Sequence, residues 1–458
     1  MAPKNRKKRK RRRKSFTLPE SGLSKDEVFE KLKKYKKDDV DWRSGKCFAY
    51  VYYYNDEHEE IIQDAHNMFF PTNALSPLAF PSLAKFEAEV VSMAADLFYG
   101  DRKTCGNVTS GGTESILMAV KTYRDYNRKR NPDIKKPEMI LPDTVHAAFN
   151  KAAHYFDVNP VYIPCTEENN WRPDLEAFKA AITDNTILAV GSACEFPRGN
   201  VDPIPKMAAI AKEEGFGFHV DSCLGGYMLP FLEKLGYDIP PFDFRVDGVT
   251  SISADIHKYG MTPKGSSTLL FKNQRLWKNQ FHAYTKWMGG IYASPTMGGT
   301  RPGSILAGAW AGMMELGEDG YLQMAKQTKE ATDKIIDFIE KHPDLEVMGS
   351  PIMTVFSFRS TNDDLHIFAL GDVLKKKGWM LDKLQFPPAL HCIVVPHQAE
   401  VVDDFLKALD ESIEYTKDHP ELKEQGDAAM YGMMASFDDR DQLENVVVNF
   451  LADQYKSR

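Results

Sequence analysis

Gly248-Val-Thr-Ser-Ile-Ser253-Ala-Asp-Ile-His257-Lys258-Tyr-Gly260 opens as a β-rich run and closes as a loop that carries a lysine. A lysine just past the carboxyl end of a strand points into a pocket when that strand belongs to an open α/β sheet. Outward from this stretch, further β-rich runs fall at 139–142, 161–164, 187–191, 217–221 and 267–271, spaced so that a helix fits between most of them. The segments 174–182 and 204–214 carry helical periodicity. Alternation of this kind predicts βαβ units and a mostly parallel sheet covered on both faces. After Tyr321 the pattern changes to a long helix over about 322–341, strand-like pieces at 346–348, 353–359 and 392–395, and helices around 401–418. That stretch reads as a separate α+β domain. The expected division is a basic tail at 1–20, an N-terminal helical and extended segment at 21–75, a large domain at 76–320 and a small domain at 321–458. Within the second segment, 24–37 with Val28, Leu32 and Tyr35 reads as an amphipathic helix.

The chain has 458 residues, 43% hydrophobic and 27% charged, an ordinary globular balance for a large domain plus a smaller one. Net charge is -7, yet residues 4–14 hold ten Lys or Arg and no acid, leaving 48 basic against 65 acidic residues elsewhere. A nucleic-acid-binding body needs a basic field over its folded surface, so that class is disfavoured and no nucleic acid is needed. The basic run suits a solvated tail, a nuclear address or a tether to an anionic membrane. No apolar segment follows it, against a secretory signal, and no stretch reaches the 18 or so apolar residues of a transmembrane helix. Six cysteines lack C-x-x-C spacing, which argues against zinc and a disulfide framework and for a reducing, cytoplasmic setting.

Four elements carry chemistry. Lys258 is placed to form an imine, which requires an amine unprotonated part of the time; burial beside cationic groups is expected to lower its pKa. Asp221 ends the run Gly217-Phe-His219-Val-Asp221, where a carboxylate can pair with a pyridine nitrogen and keep the ring protonated. Thr109-Ser110-Gly111-Gly112-Thr113-Glu114-Ser115 precedes a helical pattern over 116–126, so its backbone N–H groups and hydroxyls can surround a phosphate, aided by the helix dipole. It lacks both G-x-G-x-x-G and a G-K-[ST] ending, so neither a dinucleotide nor a P-loop fits. His146 follows a strand and opens a helix, where its ring can stack on a cofactor. Each has a plain explanation alone: a surface His-Lys pair, a strand-end cap, a glycine turn, a packed histidine. Their occurrence in one order on one predicted sheet identifies a pyridoxal 5′-phosphate (PLP) site of the aspartate-aminotransferase fold type, with Lys258 as the Schiff-base lysine.

Further runs narrow the class: Val108 to Ile116, His146-Ala-Ala-Phe-Asn-Lys-Ala-Ala153, His219-Val-Asp-Ser-Cys-Leu-Gly-Gly226, Gly289-Gly-Ile-Tyr-Ala-Ser-Pro-Thr296, Thr300-Arg-Pro-Gly303, Leu384-Gln-Phe-Pro-Pro388 and Tyr431-Gly-Met433. With them the chain resembles the sphingosine-1-phosphate lyase family, within the PLP-dependent group II decarboxylases, from about residue 22 to 452. The resemblance implies a seven-stranded, mostly parallel sheet, a homodimer, and retro-aldol cleavage of a phosphorylated sphingoid base to a long-chain aldehyde and phosphoethanolamine. It places His257 beside Lys258 among the catalytic and cofactor-binding residues, and associates Lys264 with the substrate phosphate. Tyr52 and Asn73 match positions at the substrate entrance, and Arg301 is an anion-binding, substrate-side candidate because the glycine-rich loop before it commonly reaches a partner subunit's site in this fold.

Three departures bear on the carry-over. The family motif Asn-Pro-Leu-His-Pro reads Asn73-Ala-Leu-Ser76-Pro77 here, so a neutral hydroxyl replaces an imidazole. Arg198 stands where relatives often have His; it is either a replacement cationic donor or a solvated loop residue. Eukaryotic relatives usually carry a membrane-spanning helix, whereas here peripheral contact with an anionic membrane, such as the endoplasmic reticulum surface, rests on residues 4–14. A PLP-dependent amino-acid decarboxylase and a catalytically weakened PLP-binding homologue remain as alternatives.

Overall fold

A computed structural model describes residues 17–435 and 440–456; the basic run at 4–14 lies outside them. The chain forms two compact units, one from Trp42–Pro420 and one from the described parts of Met1–Asp41 and Glu421–Arg458. In the second, the helix Lys25–Lys36 begins with a capping box in which the Ser24 hydroxyl accepts from Glu27 N and the Glu27 carboxylate accepts from Ser24 N. Its apolar residues stay exposed, Val28, Leu32 and Tyr35 among them.

The larger unit is built on seven strands: β1 (Cys105–Thr109), β2 (Glu138–Pro142), β3 (Asn159–Ile163), β4 (Thr186–Ser192), β5 (Gly217–Asp221), β6 (Ser251–Ala254) and β7 (Ser267–Phe271). They lie in the order β1-β7-β6-β5-β4-β2-β3. The pairs from β6 to β3 are parallel, while β7 runs antiparallel to both β6 and β1. The reversed β7 thus restores β1 to the common direction. β4 reads Thr-Ile-Leu-Ala-Val-Gly-Ser and is buried throughout, as a strand covered on both faces must be. The helix Gly112–Arg130 covers one face, burying Ile116, Leu117, Met118, Val120 and Tyr123; each such side chain contributes about 1.5–3 kcal/mol. Its last turn holds Arg128, Lys129 and Arg130, which oppose the negative end of its dipole. Ile204–Glu214 stops at Gly215, whose φ of 82° supplies the left-handed cap.

A two-stranded ribbon, β8 (His282–Trp287) and β9 (Gly290–Ser294), projects with most of its residues exposed. Beyond it, β10 (Leu345–Val347), β11 (Val355–Ser360), β12 (Asp382–Gln385) and β13 (Pro388–Ile393) form an antiparallel sheet in the order β10-β11-β13-β12. The long helix expected from 322 begins at Gly303 and runs to Lys341, broken only where Gly317 leaves helical geometry. Glycines at 308, 312, 317 and 320 weaken the helical signal of its first half, because glycine is a poor helix former.

One direction for six of the seven strands brings their carboxyl ends to one edge. From that edge leave the loops after β1, β2, β5 and β6, which carry Ser110–Thr113, His146, Asp221 and Lys258.

Candidate active site

That edge opens into a cavity of about 680 Å³, within the ~300–1,000 Å³ of small-molecule sites. Ser110, Gly111, Gly112 and Thr113 line it together with His146, Asp221, Asp255, His257, Lys258 and Arg301. A second cavity of about 190 Å³ shares His146, Asp221, Cys223 and Lys258, and adds Tyr52, Cys194, Glu195, Phe196 and Ile393. Lys258 therefore stands where the two meet.

The glycines at the start of Gly112–Arg130 are required by space. Gly111 has φ 142°, and a Cβ there would lie 3.2 Å from His257 Cε1; one at Gly112 would lie 2.7 Å from Asp255 Oδ2. Buried Glu114 braces this turn, accepting from Ser110 N at 2.6 Å and from Met297 N at 2.7 Å. Thr109, Ser115 and Ser267 join their hydroxyls at 2.6 and 2.9 Å, tying β1, the helix and β7 together.

Asp221 pairs in register with Ser253. Its Oδ1 accepts from Cys223 N at 3.1 Å and from the Ser253 hydroxyl at 3.3 Å. His219, below it, lies between the Ser251 and Ser253 hydroxyls at 2.8 and 3.1 Å. Burial pushes its pKa down to about 4 against the opposing charge of Asp221, so the ring is neutral at pH 7.

Lys258 departs from the expected cationic setting. Its Nζ lies 2.9 Å from Asp255 Oδ2. Burial acts to lower its pKa, but the carboxylates of Asp255 and, less strongly, Asp221 outweigh it and the net shift is upward. The loop that presents the lysine supplies a carboxylate three residues earlier, and the strand beside it ends in another. His257 is pushed down to about 4 by burial, with Asp255 opposing and Lys264 and Lys258 reinforcing. Its Nδ1 accepts from Ser266 N at 3.3 Å, which assigns the proton of the neutral ring to Nε2, 3.7 Å from Asp255 Oδ2.

Lys264 is exposed as a residue, yet its amine turns inward, donating to His257 O at 2.7 Å and lying 4.6 Å over the Tyr52 ring. Loss of water, then repulsion from Lys258, lowers its pKa to about 8. Tyr52 in turn packs edge-on against Tyr259, with centroids 5.1 Å apart.

His146 borders both cavities, and its Nδ1 accepts at 3.1 Å from Ala148 N, the first residue of the helix that follows. Arg301 reaches the larger cavity, but Glu87 holds its guanidinium at 2.7 and 2.8 Å and Val108 O accepts from it at 3.1 Å. Asn73 bridges to Pro302 and accepts from Leu75 N at 3.2 Å; neither it nor Ser76 borders these two cavities. Arg198 is buried, 3.8 Å over the Trp171 ring, and donates to Phe386 O at 3.0 Å. It is thus neither a solvated loop residue nor a replacement donor at the cavity wall. Sequence reasoning passed over Asp255, Glu114 and Glu87; only Asp255, three residues before Lys258, carried a local signal.

A turn that admits no Cβ, a carboxylate on a neighbouring strand end and an amine between them fit pyridoxal 5′-phosphate. The pyridoxal-dependent decarboxylase conserved domain matches residues 7–361, and the chain belongs to that PLP-dependent family. It is 45% identical to the sphingosine-1-phosphate lyase of Arabidopsis thaliana over 97% of this chain and 82% of that one. The solved sphingosine-1-phosphate lyase of Burkholderia pseudomallei superposes with a TM-score of 0.84 at 36% identity, covering 93% of this chain and 97% of that one. The glutamate decarboxylase of Lactobacillus brevis, at 20% identity and a TM-score of 0.77 over 88% and 95% of the two chains, shares the fold alone.

Proposed function

We propose that this chain is a PLP-dependent aldehyde-lyase that cleaves a sphingosine-1-phosphate-type phosphorylated long-chain base into a long-chain aldehyde and phosphoethanolamine. The observation that carries this is the second amine, Lys264, held 4.6 Å over the ring of Tyr52, which itself lines the smaller cavity, so that a cation suited to a substrate phosphate lies one side chain from the site. When bound, PLP supplies an electron sink for the pair left on C2 as the C2–C3 bond breaks.

The residues divide the remaining work. Backbone N–H groups of 111–113 with the Ser110 and Thr113 hydroxyls would hold the cofactor phosphate, and Asp221 the proton on its ring nitrogen. His146 would stack on the ring, and His257, beside Gly111, would close the turn from the other side. Lys258 would carry the cofactor; as a free amine it takes the proton of the 3-hydroxyl, and as an ammonium it returns one to C2. The hydrogen lost from the hydroxyl is balanced by the one gained at C2, so no water or oxidant enters. Tyr52 and Lys264 orient the phosphorylated end, while Asn73, Ser76 and Arg301 belong to an entrance completed by a second copy. The exposed apolar side chains of the β8–β9 ribbon, including Trp287, Met288 and Ile291, support a homodimer.

Within the unit Trp42–Pro420, residues 76–320 carry the seven strands of the large sheet and the residues after 321 the four strands of the smaller one; Tyr52 and Ile393 bring the flanking segments to the smaller cavity. Among the described residues no helix is long and apolar enough to cross a membrane. Residues 4–14 would bring the enzyme to anionic lipid from the cytoplasm, at the endoplasmic reticulum or elsewhere.

Aldehyde release tests the assignment. Purified protein given a dihydrosphingosine phosphate should release long-chain aldehyde; carbon dioxide from aromatic or acidic amino acids, with no aldehyde, would instead favour the decarboxylase reading. Lys258→Ala should abolish activity together with the visible cofactor band. Ser76→His should raise the rate, and an unchanged or lower rate would show that the missing imidazole is not limiting.

A further inference from the structure

The division of work above gives Asp255 no task, although it is the carboxylate in contact with Lys258. It is 2% exposed, and its Oδ2 lies 2.9 Å from Lys258 Nζ. Its Oδ1 is buried with no hydrogen-bond partner among the described residues. The carboxylate packs on the phosphate turn, where a Cβ on Gly112 would stand 2.7 and 3.0 Å from its two oxygens. A carboxylate walled in this way is stable as an anion only beside a cation.

The neighbours narrow which cation that is. Asp221, on the adjoining strand end, is a second carboxylate near the amine. His257 is neutral at pH 7. The Cys194 and Cys223 thiols and the Tyr52, Tyr227 and Tyr259 phenols are all pushed upward by burial and carry no charge. Lys264 is the other cation, and its amine is engaged with His257 O and the face of Tyr52.

We propose that Asp255 is the counter-ion that holds the free Lys258 amine as an ammonium and so sets the pH at which that amine becomes a nucleophile. The inference rests on Lys258 being the cofactor lysine. Only a neutral amine attacks an aldehyde carbon, so the pair slows capture of the cofactor at neutral pH. When the substrate's own amine displaces Lys258, the released group falls back on Asp255, which favours displacement. Once Lys258 is an ammonium, the same anion retains its proton until C2 takes it. Asp255 is thus a positioning residue that acts through Lys258.

The test uses the full chain, freed of cofactor and reconstituted with pyridoxal 5′-phosphate, as wild type, Asp255→Asn and Asp255→Glu. Formation of the visible band is followed against pH. Loss of the charge should move the midpoint down by about one pH unit or more, a tenfold change in the neutral fraction, while Asp255→Glu stays near wild type. In parallel, reductive methylation of the cofactor-free chain is mapped to Lys258 by mass spectrometry. In wild type its reactivity should rise only at a higher pH than that of exposed lysines such as Lys25, and Asp255→Asn should remove that delay. Equal midpoints in wild type and Asp255→Asn, or a Lys258 in wild type that reacts at lower pH than Lys25, would overturn the proposal. The wild-type methylation profile decides the matter even if Asp255→Asn fails to fold. A wild type that forms no band at any pH would instead defeat the cofactor assignment, and the methylation profile would still report on the ion pair.

Discussion

Lys258 and Lys264 lie six residues apart and their environments act in opposite directions: one amine faces carboxylates, the other a ring and a carbonyl. Lys264, with its pKa lowered to about 8, is charged below that pH and neutral above it. Binding of a substrate phosphate should therefore weaken as pH rises from 7 to 9. We predict a rising KM for the phosphorylated base over that interval in wild type, and a flat one in Lys264→Arg, whose guanidinium stays charged. A KM that rises equally in both would assign the dependence to another group. At this scale the sequence was informative where chemistry sits next to a strand end: Asp221, Lys258 and the paired glycines could be read from their order. Partnerships across the chain could not. Glu87 reaches Arg301 from 214 residues away, and no local pattern foretells that an arginine at a cavity wall is already matched by a carboxylate.

The turn before Gly112–Arg130 is the element on which cofactor binding depends most. Gly112→Ala would push a methyl group into Asp255, and overpacking of this kind costs about 1–3 kcal/mol. We expect PLP affinity to fall by roughly tenfold or more, measured by equilibrium dialysis, with the far-ultraviolet circular dichroism of the fold retained; unchanged affinity would mean the turn is not the phosphate cup. The parallel strands were legible because burial on both faces leaves continuous apolar runs such as β4. β1 was not, since Cys-Gly-Asn-Val-Thr has neither a run nor an alternation, and its place at the sheet edge is fixed by pairing with β7. The direction of β7 is likewise invisible in composition. The connection from β6 to β7, residues 255–266, is spent on the turns that present Lys258 and holds no helix, and β7 returns antiparallel to β6.

For the molecule as a whole, charge is divided between a basic run at residues 4–14 and an acidic remainder. Each basic residue near an anionic surface contributes about 1 kcal/mol, and salt screens the attraction over about 10 Å at 0.1 M. The full chain should sediment with phosphatidylserine-containing vesicles at low salt and be released as salt rises, whereas a chain lacking residues 1–16 should stay in solution throughout. Equal sedimentation of the two would move membrane contact to the folded surface. The proposed chemistry depends on one carbon–nitrogen bond, and borohydride reduction of the holoenzyme followed by peptide mapping examines it most directly. The expected result is a reduced pyridoxyl group on Lys258 and on no other lysine. A chain that retains cofactor while Lys258 is recovered unmodified, or one labelled at Lys264 instead, would contradict it.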